Sequence, residues 1–191
     1  MIDTEARAAP RFPALTVATP RLDIRPLAAA DAPEVEAILA DRLTRRWLPL
    51  PDDSTIDGRT WCTDVAGRQR EIGDGDHYVA LRREDGRLVA VLWTSRTDWT
   101  ARATEVSYLV APGARGFGVA SEAVDAIVIA LLLEHGFERI ELRIAPGNTA
   151  SRRVAEKAGI VYEGLQRNAG YVHGGRVDLQ MWSLVAGVLR G

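Results

Sequence analysis

Polar and apolar positions change period several times along the chain, and each change marks an element. In TPRLDIRPL, Leu22, Ile24 and Leu27 sit among polar neighbours, which predicts a short strand with a proline exit. In AADAPEVEAILADRL, Val35, Ile38 and Leu43 recur at roughly helical spacing behind Pro33 and Asp31, a candidate N-cap. WLPLPDDST reads as a loop. Gly58 to Ile72 predicts a polar amphipathic helix carrying Trp61, Val65 and Ile72, broken by Gly73, Asp74 and Gly75. HYVALRRE and RLVAVLWTSRT then read as strands around an Asp85-Gly86 turn, with ATEVSYLV as a third. Ser121 to His135 predicts a helix whose broad apolar face runs from Ala123 to Leu133, ended by Gly136. RIELRIA alternates Ile140, Leu142 and Ile144 against Arg139, Glu141 and Arg143. A short helix over Thr149–Ala158, closed by Gly159, leads to extended runs at Val161–Leu165 and Arg176–Leu184. The order β-α-α-β-β-β-α-β-α-β-β, hairpins first and one β-α-β crossover in the middle, is that of an α/β mixed sheet with helices on both faces.

At 191 residues the chain suits one domain with a sizeable core and is short for two. A net charge of −2 removes the general electrostatic case for nucleic acid, and it gives no reason to expect an anionic membrane surface. Cys62 is the single cysteine, so neither an internal disulfide nor a thiolate metal site is available, and its helical context predicts buried packing. His77, His135 and His173 show no metal-ligand spacing, and no metal is expected; His77 and His173 read as surface residues. The longest apolar run, Ala126 to Leu133, is far short of the ~20 residues that span a bilayer. The start, MIDTEARAAPRFPAL, has early acids and no apolar h-region; residues 1–16 are expected to form a mobile arm before a domain over 17–191, in a cytoplasmic protein.

Chemistry concentrates in VAPGARGFGVASEAV, where glycines and an arginine separate a strand from a long helix. The first amides of a helix lack internal partners and carry the positive end of its dipole, so they attract anions. Gly116 and Gly118 permit close backbone approach, and the amides of Phe117, Gly118, Val119 and Ala120 form a nest. Arg115 adds a charge that forks onto phosphate oxygens, and Ser121 is placed to cap the helix. The ATPase pattern G-x-x-x-x-G-K-[ST] is absent. Gly116, Gly118 and Ser121 supply two of the three glycines of a dinucleotide fingerprint, in the wrong context after antiparallel strands.

Arg115 to Ala120 fits [QR]-x-x-G-x-[GA], and on this motif the chain resembles the GNAT superfamily of N-acetyltransferases. EVSYLVAPGARGFGVASEAV is similar to that family's fourth strand, loop and third helix. APGNTASRRVAEKAGIVYEG is similar to its N-x-x-S-x-x-x-x-E-K-x-G-F-x-x-E-G segment, with Ile160 where phenylalanine is usual. TPRLDIRPL and GRVDLQMWSL resemble the subgroup containing the ribosomal-protein N-terminal acetyltransferases, so the likeness covers roughly residues 17–188. It implies a single-domain, mostly antiparallel sheet of about 6–7 strands with about four helices, splayed between strands 4 and 5.

The resemblance also implies acetyl-CoA as donor, its pantetheine arm paired with backbone of Tyr108, Leu109 and Val110 and its pyrophosphate on residues 115–120. Asn148 stands where the family bonds the pantetheine, and Arg152, Arg153 and Lys157 are within reach of the adenosine phosphates. The reaction is then attack of an amine on a thioester, which needs a base and an acid. Glu105 is the first candidate base: it precedes Val110 by five residues, about 16 Å of extended strand, the reach of a pantetheine arm. A water is the alternative base. Ser151 is the preferred acid; Tyr162 and Tyr171 are weaker alternatives. Arg45–Asp53, Trp61, Trp93 and Trp99 are candidates for the acceptor pocket, with Trp47 and Trp93 as wall residues and Asp52, Asp53, Asp74 and Asp76 as an acidic funnel for a cationic protein N-terminus. The acceptor is a peptide N-terminus or a small amine. The rival readings are a non-catalytic acyl-CoA module, a longer donor such as succinyl-CoA, and, more remotely, a nicotinamide oxidoreductase. A homodimer is a further expectation.

Overall fold

Strict alternation along the central strands sends two sets of side chains to opposite faces of one sheet, and each face collects its own helices. The computed structural model describes residues 11–49, 57–172 and 175–190. Its strands are β1 (Val17–Ala18), β2 (Leu22–Pro26), β3 (His77–Arg82), β4 (Leu88–Asp98), β5 (Ala103–Val110), β6 (Arg139–Ile144), β7 (Val161–Val172) and β8 (Gly175–Val185). They form an eight-stranded sheet in the order β1-β2-β3-β4-β5-β6-β8-β7. Every neighbouring pair is antiparallel except β5 and β6, which are the two ends of the β-α-β crossover. The mixed α/β fold is as expected. The eighth strand is β1, two residues long, which pairs Val17 with Ile24 and is too short for alternation to reveal.

On one face lie α5 (Val119–Leu133), α6 (Thr149–Lys157) and α7 (Ala186–Arg190). Ala123, Ile127, Val128 and Leu131 of α5 pack on Leu22, Ile24, Tyr78, Ala80, Leu92, Val106, Ile140 and Leu142. The other face carries α1 (Ala32–Ala40), α2 (Arg42–Arg45), α3 (Gly58–Thr60) and α4 (Ala66–Glu71). There Val35, Ile38, Leu39, Trp61 and Cys62 bury against Val79 and Val91. The single helix expected over Gly58–Ile72 is interrupted by a π-helical stretch at Trp61–Val65, a device that aims side chains off the regular helical spacing. Cys62 is buried as expected, and burial pushes its thiol up to about 11.

Four local expectations are corrected. Asp31 stands before α1, but its carboxylate accepts from the Ala28 amide and forks onto Arg25 at 2.7 and 2.8 Å, tying α1 to β2. Ser121 is not the cap of α5: the helix begins at Val119, with Gly118 at the N-cap. His77 is 1% exposed, stacked on Trp93 at 6.1 Å and meeting the Trp61 ring edge-on at 5.7 Å. Asp76 is fully buried on Arg70 at 2.6 Å and cannot belong to a funnel. The end of the arm also lies on the domain: Phe12 and Leu15 are buried, with Phe12 packed between Trp99 and Phe137.

Burial, with the Arg70 charge adding to it, pulls His77 down to about 4 from its ordinary 6.5. The unfolded chain therefore gains this proton as pH falls through about 6.5, whereas the folded chain waits until about 4. The unfolded state binds more protons in that window, so stability is present above it and declines as pH falls across it, by up to about 3 kcal/mol. Denaturant melts at pH 7 and pH 4.5 should show this loss, and His77→Phe, which keeps a ring between the tryptophans, should shrink it.

Candidate active site

The parallel pairing of β5 with β6 covers only Ala103, Thr104 and Glu105 against Arg139, Ile140 and Glu141. Beyond Glu105, β5 stays with β4 as far as Val110, while β6 stays with β8 as far as Ile144. The strands part, and the backbone of β5 past Glu105 has no strand partner on its β6 side. The expected splay is therefore present. It opens into a cavity of about 540 Å³.

Of the expected residues, Glu105, Tyr108, Leu109, Asn148 and Ser151 line this cavity, and so do Trp47 and Trp93. Alternation puts Glu105, Ser107 and Leu109 on the face of Trp93 and Val91, and Val106 and Tyr108 on the face of α5 and α6. Tyr108 reaches under α6, its hydroxyl 2.7 Å from the Ser151 Oγ. Asn148 caps α6: its Oδ1 accepts from the Ser151 amide at 3.1 Å, which leaves its NH2 group as a donor. The candidate acid and the candidate pantetheine contact thus share one helix start.

Glu105 has a side chain only 12% exposed. Burial pushes its carboxyl above the ordinary carboxylate range, against the opposing pull of the Arg96 and Arg143 guanidiniums. The Arg96 Nε lies 3.4 Å from Oε2, near enough for attraction but not aligned as a hydrogen bond, and Oε2 has no hydrogen-bond donor among the described residues. A desolvated, incompletely satisfied carboxylate is suited to taking a proton.

The loop at 115–120 lies apart from the cavity, at the start of α5. Gly116 and Gly118 adopt φ of 85° and 78°, the left-handed region that glycine enters without strain. No atom lies within 4 Å of where a Cβ of Gly116 would stand. Phe117 is 70% exposed, its ring on the surface of the loop. Arg115 does not point freely outward: its guanidinium holds the Asp41 carboxylate and the Thr44 hydroxyl, and Asp41 also caps α2 by accepting from the Thr44 amide. Arg21 joins the loop from β2's approach, donating to the Phe117 carbonyl and pairing with Glu122. Sequence reading gave these partners no role, because Arg115 and Asp41 are distant in the chain.

Other expected groups fall elsewhere. Trp61 and Trp99 pack in the two cores; the Trp99 Nε1 donates to the Gly73 carbonyl. Tyr162 meets the Trp182 ring at a tilt outside the cavity, whereas Tyr171 reaches its lining. Arg153 and Lys157 are exposed on α6. Asp52, Asp53 and His173 lie outside the described residues. Among the described residues no group of His, Cys, Asp and Glu is arranged to hold a metal, and no helix is long and apolar enough to cross a membrane. Arg96, Arg143 and Arg176 also line the cavity; the polar stripe of RIELRIA was the signal for Arg143.

The sequence pattern of the family described as "Acetyltransferase (GNAT) domain" matches residues 21–161. YdaF of Bacillus subtilis (strain 168), whose name places it with ribosomal N-acetyltransferases, is 26% identical over 166 residues, covering 86% of this chain and 91% of that one. Among solved structures, Mycobacterium smegmatis RimJ in complex with CoA-disulfide superposes with a TM-score of 0.78 at 23% identity, over 93% of this chain and 89% of that one. A RimL ribosomal L7/L12 acetyltransferase in complex with coenzyme A gives 0.79 at 17% identity, over 90% and 98%. At such identities these two likenesses speak for the fold, and the family match speaks for the lineage: with its splayed sheet and glycine nest, the chain belongs to the GNAT acetyltransferase family.

Proposed function

We propose that the protein transfers an acetyl group from acetyl-CoA to a primary amine by direct attack in a ternary complex. The observation that carries this reading is the cavity in the splay, where a desolvated Glu105 and the Ser151–Tyr108 pair converge beside unpaired backbone of β5. The residues fit the donor. The exposed β5 edge offers strand-like hydrogen bonds to a pantetheine arm, and the left-handed glycines leave the amides at the start of α5 open to a diphosphate. Arg115 leaves Asp41 to meet those phosphates.

Acetyl-CoA brings a thioester carbonyl and a thiolate leaving group. Glu105, directly or through a water, takes a proton from the incoming ammonium so that its lone pair can attack. The new N–C bond forms as the C–S bond breaks. Burial pushes the Tyr108 hydroxyl up to about 12, so it stays protonated, and it shares a hydrogen bond with the Ser151 Oγ. Ser151 passes a proton to the departing thiolate and regains one from the second proton that the nitrogen sheds as it becomes an amide, while Glu105 holds the first. Trp47 and Trp93 wall the acceptor side. The names of YdaF and of the RimL structure favour a protein N-terminus as acceptor class.

Glu105→Gln should lower kcat about 10²–10³-fold with little change in the KM for acetyl-CoA. The wild-type rate should fall as pH drops through a value above the ordinary carboxylate range, because the base must be ionised, and the variant should lose that limb; a kcat–pH profile reads both. Gly118→Val places a branched side chain at φ 78° in the nest. Calorimetry on a folded sample should show coenzyme A binding at least tenfold weaker.

A further inference from the structure

Three arginines from three different strands reach the cavity beside a single described carboxylate, Glu105. Elsewhere several arginines are paired with carboxylates: Arg21 on Glu122, Arg25 on Asp31, Arg70 on Asp76, Arg139 on Glu141 and Glu163. At the cavity, Arg143 gives one Nη2 hydrogen bond to the Gln166 amide oxygen at 2.7 Å, and its Nε–H is shielded from solvent with no acceptor among the described residues. Among the described residues neither Arg143 nor Arg176 forms an ion pair within 4 Å; Arg143 acts on Glu105 only at longer range.

Arg96 reaches the site at a cost in backbone strain. Plain alternation along β4 would turn it away from the face of Trp93 and Ser95. A register shift between Ser95 and Asp98, with Arg96 held at φ 55°, brings it instead beside Glu105. Such bulges and left-handed non-glycine residues cluster where a side chain must be re-aimed at a site.

We propose that the amine acceptor carries a carboxylate of its own, as a free amino acid or as a peptide with acidic residues next to its N-terminus. Arg143 and Arg176 bind that carboxylate, while Arg96 stays with Glu105. This rests on the acetyltransferase reading above and adds the acceptor's charge class to it. The element that carries Arg176 favours the acceptor: Arg176 pairs with Tyr171 on the β7–β8 hairpin and lines the cavity, whereas the groups read above as donor contacts come from β5, the 115–120 loop and the start of α6. An acceptor rich in positive charge meets like charge on this wall and pays for its approach.

The test uses the full chain with acetyl-CoA and peptides identical except for Glu-Glu, Gln-Gln or Lys-Lys after the first residue, with free glutamate and spermidine alongside. The acidic peptide should exceed the neutral one at least tenfold in kcat/KM, with the basic peptide and spermidine slowest. Turnover of free glutamate names a single amino acid as sufficient; turnover of the acidic peptide alone names the longer source. Arg176→Gln, on an exposed hairpin, and Arg143→Gln should each bring the acidic-to-neutral ratio towards one. A preference for basic acceptors, a ratio blind to charge or to both substitutions, or arginine dependence that follows succinyl-CoA over acetyl-CoA would overturn the proposal. If no amine is consumed, the acetyltransferase reading itself fails. Calorimetry of the Glu-Glu peptide on the CoA-saturated protein then still decides the acceptor's charge: binding lost on Arg176→Gln upholds it, and absent or charge-blind binding rejects it.

Discussion

Backbone amides and carbonyls that are withdrawn from a sheet must be paired again, and the split between β5 and β6 places that demand at the centre of this molecule. Three residue pairs hold the two strands together, and then each strand follows its outer neighbour. The separated edge of β5 is a row of main-chain donors and acceptors with no strand partner among the described residues. On the proposed reading a slender, amide-containing ligand such as pantetheine would meet that demand with the geometry of a strand, through main-chain contacts first and side chains second. The side chains that matter are placed by the same split. Glu105 is the last residue of β5 paired with β6, and Tyr108 passes beneath α6 to hold Ser151.

Much of this was legible in the sequence because it is local. The Asp85-Gly86 turn, the alternation of RIELRIA, the apolar face of α5 and the glycines before it each declare themselves within a dozen residues. What stayed hidden depends on contacts between distant segments. His77 follows a glycine-rich break and reads as surface, yet Trp61 and Trp93 arrive from other elements to enclose it. Asp76 reads as a solvated loop acid until Arg70 folds over it. Phe12 is part of a polar-looking arm until Trp99 and Phe137 supply its neighbours. Arg96 obeys alternation in the sequence and breaks it in the structure, since a register shift leaves no mark in residue types alone.

The electrostatics of the cavity follow from unequal desolvation. Glu105 is buried enough that two nearby guanidiniums do not restore its usual acidity. The arginines keep part of their surface in water. In a cavity with three guanidiniums around one buried carboxylate, the proton affinity of Glu105 is set by its burial together with Arg96 and Arg143, so a change at Arg143 would be felt at Glu105 as well.

Asp41 closes the first turn of α2 and grips Arg115, and α2 leads directly into Trp47 and Leu48 on the cavity wall. One carboxylate thereby ties the glycine loop before α5 to the wall of the cavity. An anion that drew Arg115 away would strip Asp41 of its counter-charge at the first turn of α2, so on the proposed reading filling of the loop would be felt at Trp47 through this one carboxylate.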